Sequence, residues 1–412
     1  MRIHLALMVA ALLMPAVGAA QTAAPVGQPR FLDNTPDRPS TPAAINNFGD
    51  VAGWHVAEDG DNYHAFVWSE RTGFVDIGTL GGAASQALDI NDLGQVIGWA
   101  LTPEAAPHAF LWTRSTGMRD LGPSALFSPA AINNLGVMAG SVNGRAAVRM
   151  PDGTVIPLGT LGGPGSVALD INDRGEVVGG STVSDAPYSG MHPFFWSRET
   201  GMVDIHEPGT TGGAASRINN RSEAAGYLTP DSNFQSYVYT WTREGGTVNI
   251  GGYPGGFVVG SDYGNVFGIN GLGQVVATST FPGDEITRQL LWSGGGGPFV
   301  IAEDGIPDYS HMGCNDVGEV AGATRPEQAQ ITAAVWMTVL TSDQRSDSLR
   351  VLVEGLVLRG ALRQNDANAL LVKVAHDKPF ANHVAALVRS GRLTANNGWL
   401  LQRAVAMHSI AK

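Results

Sequence analysis

An all-β ring, a seven-bladed β-propeller of four-stranded blades followed by a small all-α helical bundle, is the fold class this sequence predicts. Two observations carry it. The phrase Ile-Asn-Asx-x-Gly starts at Ile45, Ile90, Ile132 and Ile171, and recurs with one change each at Ile218 (Ser222 for the final Gly), Ile269 (Gly271 for Asx) and Cys314 (Cys for Ile). Its leading asparagines, Asn46, Asn91, Asn133, Asn172, Asn219, Asn270 and Asn315, are spaced by 45, 42, 39, 47, 51 and 45 residues. That is the length of one propeller blade. Around each phrase lie four short strand-like runs, with turn residues between them.

The elements follow in chain order. Residues 1–20 read as a secretory signal: Arg2 and His4 precede the apolar run Leu5 to Val17, and Gly18-Ala19-Ala20 suits cleavage. The run is too short to span a bilayer. Residues 21–340 form the repeats. In the second repeat the four strands are Ala84 to Ile90, Gln95 to Trp99, His108 to Trp112 and Met118 to Leu121. Between the first two, the repeat Asn opens a tight turn through its side chain, and Gly closes it at positive φ, where a missing Cβ removes the steric penalty. The seventh repeat supplies three strands and ends at Trp336. The segment Arg30-Phe31-Leu32-Asp33 is a spare fourth one. A strand from the start of the chain is therefore expected to complete the last blade, closing the ring without leaving a free edge.

After Leu340 the pattern changes. Residues 341–348 read as a linker and 349–412 as a helical module. Leu349, Leu352, Val353, Leu356 and Val357 recur at helical spacing, with Ser348 as cap and Gly360 as stop. Further helices are expected over Asp366 to Ala375, from Pro379 to near Gly391, and from a Thr394 cap to about Ser409.

Composition narrows the function. Gly is abundant, 54 of 412 residues, while charged residues make up only 15%. The formal charge of −12 divides into −17 up to residue 340 and +5 beyond it, from ten Lys/Arg against five Asp/Glu. An acidic body argues against nucleic acid as a partner. No later apolar stretch is long enough for a transmembrane segment. The one cysteine, Cys314, can form no internal disulfide and reads as a core thiol.

Candidate sites are few. The oxygen-rich loop Glu58-Asp59-Gly60-Asp61-Asn62 offers Asp59 and Asp61 as calcium ligands, or is simply a solvated acidic loop. No other cofactor is expected. Asp89-Ile90-Asn91-Asp92 and Asp170-Ile171-Asn172-Asp173 resemble acidic metal loops, but Ile interrupts the ligand pattern and turn chemistry accounts for them. Trp54 and Trp99, ending second strands, are candidate ligand-facing aromatics. The tryptophans that end third strands read as packing between blades. Elbow-type nucleophile, zinc-protease and phosphate-loop patterns are absent, so no catalytic residue is assigned.

The phrases His64-Ala65-Phe66, His108-Ala109-Phe110 and His192-Pro193-Phe194, each followed by an apolar residue and Trp, resemble the HAF repeat of bacterial extracellular proteins. So do Gly78-Thr79-Leu80-Gly81-Gly82 and its copy at Gly159. The resemblance spans residues 27–340 and implies secretion and β repeats, but no activity. Phe380 to Thr394 resembles the helical FIMAH module of secreted bacterial proteins, with Gly398, Leu401 and Ala404 following. Together these readings point to an exported, non-catalytic binding or scaffold protein, with a polysaccharide or an envelope protein as partner. The alternatives are a carbohydrate-active enzyme with carboxylates in the propeller funnel, and a structural matrix component.

Overall fold

The computed structural model describes residues 28–32, 39–58, 60, 62–184, 190–230, 235–251, 258–259, 266–280, 287–293, 298–303, 312–324, 332–338 and 340–410. The signal region lies outside them. Seven antiparallel sheets are present, six with their strands in sequence order and the seventh completed by the first strand of the chain. Blade 1 takes Ser40–Ile45, Val51–Val56, Tyr63–Ser69 and Gly73–Gly78; blade 2 takes Ser85–Ile90, Val96–Leu101, Pro107–Thr113 and Gly117–Pro123. Blades 3 to 6 begin at Ser128, Ser166, Gly212 and Val266. Blade 5 carries an extra short strand, Val258–Val259, paired to Gln235–Thr242.

Blade 7 contains Gly313–Cys314, Glu319–Thr324 and Thr332–Met337 from the end of the repeats. Its fourth strand is Arg30–Phe31, which pairs antiparallel with Thr332–Met337 in the register Arg30 to Val335 and Phe31 to Ala334. The next amide, Leu32 N–H, continues the ladder to the Ala333 carbonyl, and the Leu32 side chain is buried. Apolar clusters run across blade boundaries, as where Phe66 and Trp68 of blade 1 pack with Ala321 and Val335 of blade 7. Trp112 of blade 2 likewise shares a cluster with Ala52 and Val67 of blade 1.

The repeat asparagines hold the ring at its axis. Each sits at the end of a first strand with its side chain buried. Its Oδ1 accepts the main-chain N–H groups two and four residues on, which folds the turn, as with Arg174 and Glu176 on Asn172. Its Nδ2 donates to the main-chain carbonyl of the next blade's asparagine. These bonds run Asn46 to Asn91, Asn133, Asn172, Asn219, Asn270, Asn315 and back to Asn46, all at 2.9–3.0 Å. Except at Asn133, where the residue four on is Val137, the second Nδ2 proton goes to the side chain four residues on, for example Glu176 or Gln274. An amide alone can both accept twice and donate twice here; Asp could not donate.

The following residue builds a second circle. Asn47, Asp92, Asn134, Asp173, Asn220 and Asp316 bond one another around the axis, side-chain oxygen to the neighbour's main-chain N–H at 2.7–2.9 Å. Gly271, which has no side chain, donates its N–H to Asp316 Oδ1. The turn glycines, such as Gly94 at φ 68°, occupy the left-handed region. Blade 5 places Ser222 there at φ 63°, and its hydroxyl donates to Glu176 Oε2 in compensation.

The C-terminal region contains four helices: α1 Ser342–Leu358, α2 Gln364–Leu371, α3 Asp377–Arg389 and α4 Ala395–Ile410. The expected linker at 341–348 is instead the cap and first turns of α1. Thr341 and Gln344 form a capping box in which each satisfies the other's amide, so the helix starts at Ser342, well before Ser348, which lies inside it and caps nothing. Ser348 is fully buried, and its hydroxyl donates to the Asp316 carbonyl of blade 7. Nor is the region a separate module. Its core includes Phe48 and Val317 of the propeller, and Phe48 stacks on Trp399 at 5.9 Å. Arg403 of α4 forms a two-pronged ion pair with Glu319 of blade 7, both buried. Glu319 and Glu70 in turn face Arg30 of the closing strand, so one charge network joins blade 1, blade 7, that strand and α4.

Two outcomes follow from this architecture. Asn172→Ala strands two amides and the Asn219 carbonyl, and should cost about 2–4 kcal/mol in chemical denaturation of the full chain. A loss no larger than that of Asn396→Ala, at an exposed helical position, would deny the ring its role. Deleting residues 21–32 leaves blade 7 with an open edge and an empty Leu32 site; its melting temperature should fall clearly below that of the intact mature chain, and an equal melt would contradict non-covalent closure.

Candidate functional site

The axial channel is where the structure gathers chemistry. In blades 1 to 6 the first strand carries a bulge two to three residues before its end, for instance between Ala87 and Asp89 and between Ala168 and Asp170. The bulge turns the residue before the repeat Ile toward the axis. In blade order these residues are Ala44, Asp89, Ala131, Asp170, Arg217 and Gly268, and all of them line one cavity of about 130 Å³. Gly313 holds the same place in blade 7, so four blades present Ala or Gly and three present a charge.

Asp89 and Asp170 are anchored alike. One oxygen accepts the N–H of the next residue in the chain, Ile90 or Ile171, at 2.8 Å. The other accepts an N–H of the next blade, Ile132 at 2.7 Å or Ile218 at 2.9 Å. Arg217 donates from Nε to the Phe267 carbonyl of blade 6 at 2.9 Å, and from Nη1 to the Ser216 carbonyl. Among the described residues the guanidinium therefore bonds main-chain carbonyls and no carboxylate. Burial raises the Asp89 carboxyl above the ordinary aspartate range, against its two amide bonds. Burial also pushes Asp170 up, to about 7, with Arg217 opposing and Asp89 adding to the rise. These are fixed, partly desolvated charges facing a cavity, the combination expected of a binding or active site.

This corrects the sequence reading of Asp89 and Asp170. They are not turn residues; they stand before the turn, staple adjacent blades and face the channel. Arg217 was not singled out at all. The signal that could have found the three is their place in the repeat: blades 1, 3, 6 and 7 have Ala44, Ala131, Gly268 and Gly313 there.

The other end of the channel is lined by the two Asx circles, around a cavity of about 160 Å³. Helix α1 crosses this mouth. Val351 sits against Gly271, where any Cβ would come within 2.3 Å of its Cγ1. Just beyond α1, Arg359 reaches Asp92 Oδ2 at 2.7 Å, with both side chains buried. Cys314 takes the repeat-Ile position on the channel wall, and burial pushes its thiol pKa up, away from thiolate chemistry.

Asn46, Asn91, Asn133, Asn172, Asn219, Asn270 and Asn315 are thus brought together in one ring. Trp54 and Trp99 are not. Trp54 packs edge-on against Tyr63 at 4.8 Å, and Trp99 Nε1 donates to Gln86 within its own blade at 3.1 Å. Both are half-buried. Asp59 and Asp61 lie outside the described residues. Among the described residues no cluster of three or more His, Cys, Asp or Glu could hold a metal ion. The histidines His64, His108 and His192 each pair through Nδ1 with an aspartate twelve residues on, Asp76, Asp120 and Asp204, at 2.8–2.9 Å. They tie third to fourth strands at the blade edges, away from the axis.

No protein-family model and no curated protein matches the chain. Solved structures similar to it are propellers at low identity. TolB from Acinetobacter baumannii is 13% identical with a TM-score of 0.46, over 70% of this chain and 67% of that one. A lectin from Burkholderia pseudomallei is 11% identical at 0.44, over 75% and 97%. The Dos1 propeller is 12% identical at 0.39, over 73% and 78%. The chain is a seven-bladed β-propeller of four-stranded antiparallel blades with four C-terminal helices.

The raised Asp170 value has a consequence for stability. Between the ordinary aspartate value of 3.8 and about 7, the folded protein holds a proton that the unfolded chain has released. Stability from this group therefore falls as pH rises through that window and is level above it. Asp170→Asn should flatten that part of the stability–pH curve, leaving the slope that Asp89, raised in the same direction, contributes. An unchanged slope in denaturation midpoints would show that Asp170 titrates normally.

Proposed function

We propose that this chain is an exported, non-catalytic binding protein of the cell envelope whose axial channel takes the ligand. The observation that carries the reading is the set Asp89, Asp170 and Arg217, held on the cavity wall by main-chain groups alone. Export rests on the amino-terminal pattern of Arg2, the apolar run and Gly18-Ala19-Ala20. The HAF-like phrases support the same extracellular setting. Among the described residues no helix is long and apolar enough to cross a membrane.

The hydrolase alternative asks for a carboxylic acid free to pass its proton to a leaving group. In Asp89 and Asp170 both oxygens accept main-chain N–H bonds, which hold the carboxyls in place as acceptors, while the raised Asp170 value is the feature that answers to the hydrolase alternative. Differential scanning fluorimetry of the mature full chain, residues 21–412, against glycans and small polar metabolites should find a stabilising ligand whose shift is lost in Asp170→Asn. Shifts insensitive to that change would move the binding site off the channel. Product formation from any stabilising compound would replace this reading with the enzymatic one.

A further inference from the structure

We infer that the channel ligand is a small zwitterion of the α-amino-acid type, with its ammonium group at Asp89 and Asp170 and its carboxylate on Arg217. The inference rests on the reading of the channel as a ligand site and adds the ligand's chemical class.

The argument starts from charges that are near one another and yet not paired. Arg217 and Asp170 stand on adjacent blades at the same level of the repeat. In a partly desolvated channel their direct ion pair would be the favourable arrangement for a site with only a structural role. Instead Arg217 is turned to two carbonyls, at 2.9 Å and 2.8 Å, and Asp170 to two amides, at 2.8 Å and 2.9 Å. Main-chain groups thus hold unlike charges apart around a cavity.

Hydrogen-bond capacity remains on both sides. A guanidinium has five N–H donors, of which Arg217 uses two within the described residues, leaving Nη2 and one Nη1 proton. Each oxygen of Asp89 and Asp170 accepts one bond and can accept another. The wall therefore offers donors in one sector and acceptors in another, already fixed in place, which lowers the ordering cost of binding.

Ligand classes can be ranked against that wall. An amine without a carboxylate leaves Arg217 unmatched. A carboxylate without an amine leaves Asp89 and Asp170 unmatched and meets their repulsion. A neutral sugar can bond the polar atoms but neutralises none of the charges. A zwitterion matches both signs at once, and unmatched buried charge is what discriminates most strongly against the wrong ligand. The size is right for a small one: the cavity is about 130 Å³, and the same wall includes Leu88, Leu169 and Met312, which suit a short aliphatic side chain.

The test is isothermal titration of the mature full chain with each of three forms of alanine, valine and leucine: the free amino acid, its N-acetyl derivative and its carboxamide. The free amino acid should bind about tenfold or more tightly than either derivative, since each derivative loses one charge match. Arg217→Gln should erase the preference over the carboxamide, and Asp170→Asn the preference over the N-acetyl form. The derivatives keep the comparison decisive on the wild-type protein if a variant folds poorly. Equal binding of the three forms, or no binding of any, overturns the zwitterion assignment. If a different compound class then stabilises the protein in an Asp170-dependent way, the channel site stands and only the ligand class falls. If no compound does, both fall.

Discussion

A single hydrogen bond, repeated seven times, gives this ring its geometry: the Nδ2 of each repeat asparagine donates to the carbonyl of the next blade's asparagine. Because the same side chain also folds its own turn, the local hairpin and the blade-to-blade contact are one event. A blade cannot lose its inner turn without loosening both neighbours. The uniform 2.9–3.0 Å spacing holds although the blades differ in length by up to twelve residues, the gap between repeats of 39 and 51. Length variation is absorbed at the outer strands and loops, and the axis is left regular.

The second circle shows how an odd-numbered ring handles alternating charge. Asn and Asp alternate around it because a carboxylate accepts from amides on either side, whereas two adjacent carboxylates would repel. Seven positions cannot alternate two residue types without a repeat, and Gly271 takes the odd place between Asn220 and Asp316. The side chain missing there is the space Val351 of α1 occupies. Burial raises the Asp316 carboxyl, and Asp92 adds to the rise, while Arg359 sets a positive charge on Asp92 itself. The helices thus complete the propeller at the seam where the chain's two ends meet, through Arg403, Glu319, Glu70 and Arg30.

Much of this was legible in the sequence because it is periodic. The seven Ile-Asn phrases, the four strands per repeat and the Gly-closed turns are local patterns, and they set the fold class. The ring bond was not legible, since the asparagine's intrablade bonds already explain its presence and the partner is 39 to 51 residues away. The helical region was read as separate for a similar reason. Its apolar periodicity implies a core but does not reveal that Phe48 and Val317 belong to it. Ser348 looked like a cap because hydroxyls favour caps, while its actual partner, the Asp316 carbonyl, belongs to another element. The channel charges escaped because a bulge, invisible in strand alternation, decides where Asp89, Asp170 and Arg217 point.

The proposed ligand would give those charges a role beyond the amide bonds that tie Asp89 and Asp170 into the scaffold. The asparagine bond closes equally well at blades that have Ala44, Ala131 or Gly268 before the repeat position, so that bond requires no charge there, although Asp89 and Asp170 each add a second tie to the next blade through the Ile132 and Ile218 amides. Burying an ionisable group works against folding unless its partners fully compensate. At Asp170 burial and Asp89 outweigh Arg217 and the two amide bonds, raising the carboxyl to about 7, and burial raises Asp89 in the same direction. Charged groups fixed on a channel wall at a desolvation cost are what the proposed ligand site would present before binding. The amide staples fit that role: they place each carboxylate within the regular axis, so that the part of the molecule that varies between blades is held by the part that does not.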